Sequence, residues 1–543
     1  MGTTCPRWEH LSAPTSPVEP DLALGTGEFT GPWYNSPVVA GHLEVEDKYD
    51  VDGDAVLTDL DRLPAVAVVA PPVDHQLEAT YFDTADLALV RAGVTLRRRS
   101  GGEDAGWHLK LPGAKGRHEL HEPLDGQQVP ASLGDVTAGL AAGQPLVAVV
   151  ELRTKRTVHR LLDAHGDVLA DVADDRVTAL RAGSADPPRA WREWEIELVG
   201  GGDDLLAAAA EHLRGLGARP AAVASKLARA LGPDRPAPPQ VQWPGAQDQA
   251  RMLVSARLAQ QVDVLRRLDP AVRADLPDSV HRMRIAARRV RTALATYRPL
   301  LDRALTEPIR TELRWLGGEL GPARDAEVQR ARLRGAIGSL RADEPGLLRG
   351  NVRTRTDAEL TASRERAHAR ALTALRSERY STLLDDLDGL VSDPPLSDRA
   401  HAKVHEVARG RVRHDYKRLA GRVDTALAVT DPRRRAEALH EARKAARRAR
   451  YAAEPLVAAY GRPAKRFVKA MKRVASSLGE HHDAVVADRV LRDLARSAAS
   501  AGHDAFTYGV LQSGQARQAE NQLERFERVW RKARRKKLRR WLR

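Results

Sequence analysis

Between residues 39 and about 230 apolar and polar residues alternate over short runs. HLEVEDKYDV, LEATYFDT, VTLRRRS, GWHLKLP, LRTKRTVHRLLD and REWEIELVG are each bounded by Gly, Pro or Asp. Alternation is the period of a β-strand, so this half is expected to be mostly β. Helices are expected at 203–216 (DDLLAAAAEHLRGL), closed by Gly217, and at 221–231. Residues 1–38 are rich in Pro, Gly, Ser and Thr with no period and read as a disordered tail. Residues 232–246 include five prolines and read as a linker. Beyond them, apolar residues recur at spacings of three and four in Ala/Arg/Leu-rich segments, the period of helices.

Residues two apart on a strand share a face. Glu44, Glu46 and Lys48 therefore point one way, and Leu43, Val45 and Tyr49 the other. The pattern recurs in Arg97 with Arg99, His108 with Lys110, Arg156 with Arg160, and Glu193 with Glu195 and Glu197. A charged face usually meets solvent. If these faces turn inward instead, they line a channel of cations with acidic patches at its ends. Carboxylates from the first and last strands could then hold a hard divalent cation, Mg²⁺ or Mn²⁺, while Arg and Lys bind phosphate oxygens.

The helical half carries a repeat. VHRMRIAARRVRTAL (280–294) aligns with LHEARKAARRARYAA (439–453), pairing His281 with His440, Arg284 with Arg443 and Arg288 with Arg447. The same alignment pairs Arg289 with Arg448 and Arg291 with Arg450. Downstream, ELGPARDAEV (319–328) aligns with SLGEHHDAVV (477–486). On a helix, His281, Arg284, Arg288 and Arg291 fall on one arc beside an apolar stripe of Val280, Met283, Ala287, Val290 and Leu294. One face packs and its neighbour is a basic rail. Solvation alone needs no fixed register, so a rail repeated in register points to a ligand. His281 and His440 are expected to donate to phosphate, since neither has the second ligand at i+3 or i+4 of a helical metal site. The second copy has His481-His482 where the first has Ala323-Arg324, either local variation or a further pH-sensitive contact.

Charge sharpens the division. Of the net +14, residues 1–240 contribute −13 (23 Lys+Arg, 36 Asp+Glu) and residues 241–543 contribute +27 (64 and 37). The basic half should attract a polyanion. Aromatics are 4% of the chain and are not interleaved with the basic faces, so no specific nucleic-acid binding is expected. The C-terminal RVWRKARRKKLRRWLR holds ten Lys+Arg and two Trp. It could extend a polyphosphate surface, bind nucleic acid, lie on an anionic membrane or be a solvated helix. The single Cys5 excludes an intrachain disulfide and a Cys-based zinc site. The longest apolar runs, such as AVAVVA, are too short to span a bilayer, and MGTTCPRWEH lacks a signal-peptide layout, so a cytoplasmic location is expected.

In order, Glu44-x-Glu46-x-Lys48, YFDT, LALVRAGVTLRRR, WHLKLP, HELHEPL, REWEIEL and SKLARAL resemble the CYTH domains, or triphosphate tunnel metalloenzymes, over residues 39–231. The helical repeat resembles the CHAD family, named for histidines on an α-helical domain, over residues 247–515. The resemblance implies an α+β multidomain chain. An eight-stranded antiparallel β tunnel would precede two duplicated four-helix bundles, with 516–543 a basic helix or tail. It implies Glu44, Glu46 and Lys48 as catalytic residues and Glu44, Glu46 and Glu197 as metal ligands. Lys48, Arg97, Arg99, Lys110, Arg156 and Lys226 would bind substrate phosphates. One of Asp171 and Asp174 would fill a further acidic position, and the sequence does not choose. Inorganic polyphosphate would be held between the rails of His281, Arg284, Arg288, Arg289 and Arg291 and of His440, Arg443, Arg447, Arg448 and Arg450.

The expected function is a metal-dependent inorganic triphosphatase acting on tripolyphosphate, with long-chain polyphosphate bound by the helical half and a link to polyphosphate granules. Two readings compete with it. One is a non-catalytic polyphosphate-binding protein; the other is a nucleotide enzyme, an adenylate cyclase or a nucleoside triphosphatase. No motif is dedicated to a purine, GxxxxGK[ST] is absent, and no Ser-His-Asp or Cys nucleophile is evident. The oligomeric state is left open.

Overall fold

A computed structural model describes residues 40–223, 225–237 and 240–543. The expected tail at 1–38 lies outside them. The N-terminal strands are β1 (Ala40–Glu44), β2 (Glu46–Asp50), β3 (Val68–Val69), β4 (Val73–Asp83), β5 (Thr95–Ser100) and β6 (Gly106–Pro112). They continue as β7 (Arg117–Pro123), β8 (Val147–Leu162), β9 (Val168–Arg181), β10 (Arg189–Leu198) and β11 (Arg219–Pro220). The sheet order is β1-β7-β6-β5-β4-β8-β9-β10-β2-β11, with β3 added to β8. Only Val45 separates β1 from β2, yet β1 pairs with β7 and β2 with β10, both antiparallel. One strand thus bends at Val45, gives half its length to each side and closes the sheet on itself. Counted as one, it and β4 to β10 form eight walls.

The sheet packs outward. Tyr49, Val172, Trp194 and Ile196 meet Leu205, Ala209 and Leu213, while Leu96, Trp107, Leu109 and Leu120 meet Leu133, Val136 and Leu140. After a one-turn α1 (Ala88–Arg91), the two covering helices are α2 (Ala131–Ala141) and α3 (Asp203–Gly215). Burying each large side chain stabilises the fold by about 1.5–3 kcal/mol. With the apolar residues committed to the outside, the charged alternates are left to the inside. α4 (Lys226–Leu231) starts at Ser225, whose hydroxyl accepts the Ala228 N–H at 3.1 Å. Its Leu227, Ala230 and Leu231 pack on Tyr81, Val150, Leu152 and Val177, an apolar stretch of the inner face, and plug the interior there.

The C-terminal half is helical: α5 (Ala250–Arg273), α6 (Ser279–Thr296), α7 (Arg303–Glu319), α8 (Gly321–Asp343), α9 (Val352–Leu375) and α10 (Glu378–Ser392). It continues through α11 (Val404–Ala428), α12 (Pro432–Ala453), α13 (Val457–Ser500) and α14 (Phe506–Ala533). In the repeat register α11 and α12 answer α5 and α6, α13 answers α7 and α8 together, and α14 answers α9. The first copy breaks at Leu320–Gly321, where Pro322 opens α8. The second has Glu480 in place of Pro322 and runs straight through. The stripe of Val280, Met283, Ala287, Val290 and Leu294 is buried, each residue at 1% exposure or less. α14 is continuous across the expected division at 515/516, and Phe526, Trp530 and Leu542 lie in the helical core. No helix among the described residues is long and apolar enough to cross a membrane.

Candidate functional site

Register carries the charged face around the sheet. Glu46 stands opposite Glu197 and Lys48 opposite Glu195 on β2 and β10. Glu193 faces Asp175 and Glu197 faces Asp171 on β9. Asp175 faces Arg156 on β8. On the other side, Arg97 faces His108 and Thr95 faces Lys110, while Lys110 faces Glu119. Residues opposite one another project to one side. Since Trp194 and Ile196, the alternates, pack against α3, this set projects into the tunnel. Glu44, Glu46, Lys48, Arg97, Arg99, Lys110, Arg156 and Glu197 are all on it, and α4 delivers Lys226 to the same space.

Inside, the charges pair. The Lys226 ammonium lies 2.8 Å from Asp175, 2.8 Å from Glu193 and 2.5 Å from Glu195. Arg156 donates to Asp175 at 2.6 Å and to Glu195 at 2.6 Å. Lys48 donates to Glu46 at 2.6 Å and also to Glu195. Lys110 pairs with Glu44, and Arg99 with Asp104. His108 Nδ1 donates to Glu119 at 2.8 Å, and Arg97 stands 3.8 Å from Glu119. Desolvation of so many ions is tolerable only because each has an opposite charge beside it. The Nε–H groups of Arg97 and Arg99 are nevertheless buried without a partner, donors that a phosphate oxygen would satisfy.

Among the described residues, one carboxylate set stands close enough together to offer oxygen ligands to a single cation. Asp175, Glu193 and Glu195 bring one carboxylate oxygen each within 4.8 Å of one another. Arg156 and the Lys226 ammonium already neutralise them, and these cations hold Glu195 well below the carboxylate range despite its burial. Glu44, Glu46 and Glu197 are different. Burial, and then the Glu44 and Glu46 carboxylates against the opposing pull of Lys110, push Glu197 up to about 7. Negative charge is in excess at this end, although among the described residues these three carboxylates are not gathered within 4.8 Å of one another as the Asp175 set is.

Asp171 is on the inner ladder and bound to Arg160 at 3.0 and 3.1 Å; Asp174 projects outward and is bound to Arg192 at 2.6 and 2.8 Å. Sequence reasoning missed Asp175, which is wholly buried and engages both Arg156 and Lys226. The signal was its parity with Asp171. Glu119 entered the sequence reading only within HELHEPL, yet the His108 hydrogen bond, Lys110 and Arg97 hold it below its ordinary range despite its burial.

The helical half encloses a cavity of about 700 Å³. His281, Arg284, Arg288 and Arg291 of α6 line it from one side, and His440, Arg443, Arg447 and Arg448 of α12 from the other. Arg289 and Arg450 do not: they bind Glu454 at 3.2 and 2.9 Å and lie over the Tyr451 ring. Arg310 and Arg314 of α7 and Arg418 and Arg422 of α11 add cations that no repeat motif flagged. Arg324 and His482, equivalent in the two copies, both line the cavity. Gly321 and Gly479 leave room for the rail: a Cβ would stand 3.5 Å from the Arg284 guanidinium and 3.2 Å from that of Arg443.

Cations crowd here. Burial, followed by Arg288 and Arg443, lowers Arg447 to about 9. Burial and the surrounding guanidiniums lower His281 and His482 to about 3, and burial with Lys444, Arg443 and Arg447 lowers His440 to about 4. The Nε–H groups of Arg284, Arg443 and Arg447 are buried without partners, while that of Arg448 meets Asp415 at 2.7 Å. Such a cavity is unfavourable by itself and complementary to a polyanion.

A closed antiparallel tunnel lined with ions, followed by a duplicated helical domain around a cationic cavity, defines a two-domain class. A CYTH domain model matches residues 42–228 and a CHAD domain model residues 256–492. The chain belongs to the family that joins a CYTH domain to a CHAD domain. Uncharacterized proteins of Mycobacterium tuberculosis strains CDC 1551 and H37Rv are 40% identical over 517 residues, covering 92% of this chain and 97% of theirs. Among solved structures, PptA from Streptomyces chartreusis is 24% identical, covers 52% of this chain and 100% of its own, and gives a TM-score of 0.45. A CHAD domain from the plant Ricinus communis is 27% identical, covers 51% and 90%, and gives 0.40.

Proposed function

We propose that the tunnel hydrolyses inorganic triphosphate with a divalent cation, Mg²⁺ or Mn²⁺, and that the cavity of the helical half binds inorganic polyphosphate. The observation that carries the reading is the excess of negative charge at Glu44, Glu46 and Glu197 beside a ladder of cations on one inner face. A divalent ion bound there would polarise phosphate oxygens and spread the charge that develops in the transition state. Lys48, Arg97, Arg99, Lys110, Arg156 and Lys226 neutralise the oxygens of the chain, and their fixed positions avoid reorganisation during the reaction. The tunnel walls hold the chain in line and limit the water that reaches it.

For polyphosphate the support is the meeting of the two rails, with unpartnered guanidinium N–H groups, around one space. A purely binding tunnel would gain nothing from Glu44 and Glu46, which repel phosphate. The test supplies tripolyphosphate, long-chain polyphosphate and ATP in turn, each with Mg²⁺ or Mn²⁺, and measures phosphate release and binding. Release from tripolyphosphate well above that from ATP, with retention of the long chain, is expected. Faster turnover of ATP would favour a nucleotide enzyme, and no turnover with tight binding a capture protein.

A further inference from the structure

Two cationic segments take no part in the tunnel or the cavity. Residues 528–543 contain ten Lys+Arg and no Asp or Glu, and residues 457–479, in the first half of α13, contain six and none. The fold lays one on the other. Trp541 has its ring centroid 5.8 Å from that of Phe467 and 5.4 Å from that of Tyr460, both on α13. Trp530 and Leu542 are buried in the helical core, and the Arg539 guanidinium lies over Tyr416 of α11 at 4.5 Å. With its apolar side chains turned inward, the segment presents Lys536, Lys537 and Arg540 to solvent, and α13 presents Lys465, Arg466 and Lys469. None of the six forms an ion pair with a carboxylate of the described residues.

The inward aromatics decide what this surface fits. Membrane anchoring needs apolar side chains free to enter the interface. Single-stranded nucleic acid needs rings free to stack on bases. Here both tryptophans are already packed. Closely spaced cations without competing carboxylates remain, which suits a polymer with charge on every repeat unit. Position narrows the choice further. α11 stands between the surface and the cavity: its Tyr416 supports Arg539, while its Arg418 and Arg422 line the cavity. A phosphate polymer longer than the cavity must leave it and run over the outside.

We propose that the surface of α13 and the C-terminal segment is a second contact for long-chain inorganic polyphosphate, holding the part of the chain that emerges from the cavity. This rests on the reading of the cavity as a polyphosphate site. Once one stretch is bound within, capture of the next is intramolecular, so long chains gain affinity that short ones do not.

The test uses the full chain carrying Lys465→Gln, Lys469→Gln, Lys536→Gln and Lys537→Gln, with the same four positions changed to Arg as a charge-retaining control. Binding of tetrapolyphosphate and of long-chain polyphosphate is measured by calorimetry over a series of salt concentrations. The Gln variant should bind the long chain at least about tenfold more weakly, with a shallower salt dependence. It should bind tetrapolyphosphate as the unchanged protein does, and the Arg control should restore the long-chain affinity. Unchanged long-chain binding by the Gln variant would overturn the proposal while leaving the cavity reading intact. Equal losses for both ligands would overturn it too, since the surface would then not discriminate by length. Loss of duplex DNA binding with polyphosphate binding unaffected would reassign the surface to nucleic acid. If the unchanged protein binds no polyphosphate of any length, the cavity reading falls and this proposal with it.

Discussion

Glu46 is a tunnel carboxylate that can be neutralised with little cost to the fold. Its partner Lys48 also pairs with Glu195, so Glu46→Gln strands no buried charge. Glu44→Gln, by contrast, would leave Lys110 with only Glu119 at 3.7 Å. Glu46→Gln should therefore lower divalent-dependent phosphate release by at least about a hundredfold, the scale on which losing one fixed electrostatic contact is felt. The melting temperature should stay close to that of the unchanged protein. Full activity in this variant, measured across a metal titration, would remove Glu46 from the metal set. Two-residue spacing made Glu44, Glu46, Lys48 and the Glu193–Glu197 series legible in the sequence, because a face is fixed by parity alone. Spacing did not choose between Asp171 and Asp174, which the β9–β10 register separates. What spacing could not convey is which ions are satisfied: the closure of Asp175, Glu193 and Glu195 around Lys226 joins residues from β9, β10 and α4, and only the fold brings those together.

At the scale of the element, the duplicated helices α6 and α12 act as one device because their basic faces meet across a single cavity. Reversing charge at Arg284 and Arg288 should weaken polyphosphate binding by more than about tenfold, as each lost charge-assisted contact is among the strong ones. Adding reversals at Arg443 and Arg447 should lower it little further, since the two-sided grip is already broken. Distant sites without a shared ligand would instead show additive free energies, and calorimetry on the four combinations separates these outcomes. The histidines give the same cavity a pH dependence. His440 sits among Arg443, Arg447, Lys444 and Glu441 with its ring 4.2 Å from that of His482, which also faces His481, Arg443 and Arg447. Both are neutral well below the ordinary histidine value of about 6.5. Bound phosphate offsets the guanidiniums and raises both values from about 4 and 3, so binding takes up protons and tightens as the pH falls toward about 4. Calorimetry in buffers of different ionisation enthalpy should register that uptake, and His440→Asn with His482→Asn should abolish it. The repeat was visible because it constrains many positions at once. α2 was passed over because its apolar side is only Leu133, Val136 and Leu140 among Ala and Gly, too little periodicity beside strong strands. Likewise, the run of charge at the C-terminus masked the inward Trp530 and Leu542, so residues 516–543 read as a separate basic helix or tail.

For the whole molecule, opposite net charges on the two halves suggested separate domains, and α2 of the tunnel domain is locked to α5 of the helical one. Asp135 accepts from Arg376 at 2.8 and 3.0 Å and lies 3.3 Å from Arg273. Arg266 donates to the Gly139 carbonyl at 2.9 Å and also binds Asp388 of α10. Leu276 completes the apolar cluster under α2, alongside Leu133, Val136 and Leu140. Gly139 is the point of closest approach: a Cβ there would stand 2.2 Å from Asp269 Cγ, and Asp269 is fully buried against Arg273 at 2.7 Å. The Asp269 carboxylate cannot move aside without giving up that pair, and the backbone cannot move without breaking the Arg266 bond. The tunnel and cavity should consequently keep a fixed relation, and calorimetric unfolding should show one cooperative transition, because neither half can expose the shared face without the other. Gly139→Leu should remove the docking at a cost of about 1–3 kcal/mol, the usual range for overpacking. Both halves retain their own cores, so the endotherm should split into two, with the tunnel domain melting first because its smaller cluster under α2 also loses Leu276. An Asp135→Ala variant removes the ion pairs without the clash and should shift the transition without splitting it. A split endotherm in the unchanged protein would show that the interface does not couple the halves, and a single shifted endotherm for Gly139→Leu would place the coupling elsewhere than the α2–α5 contact.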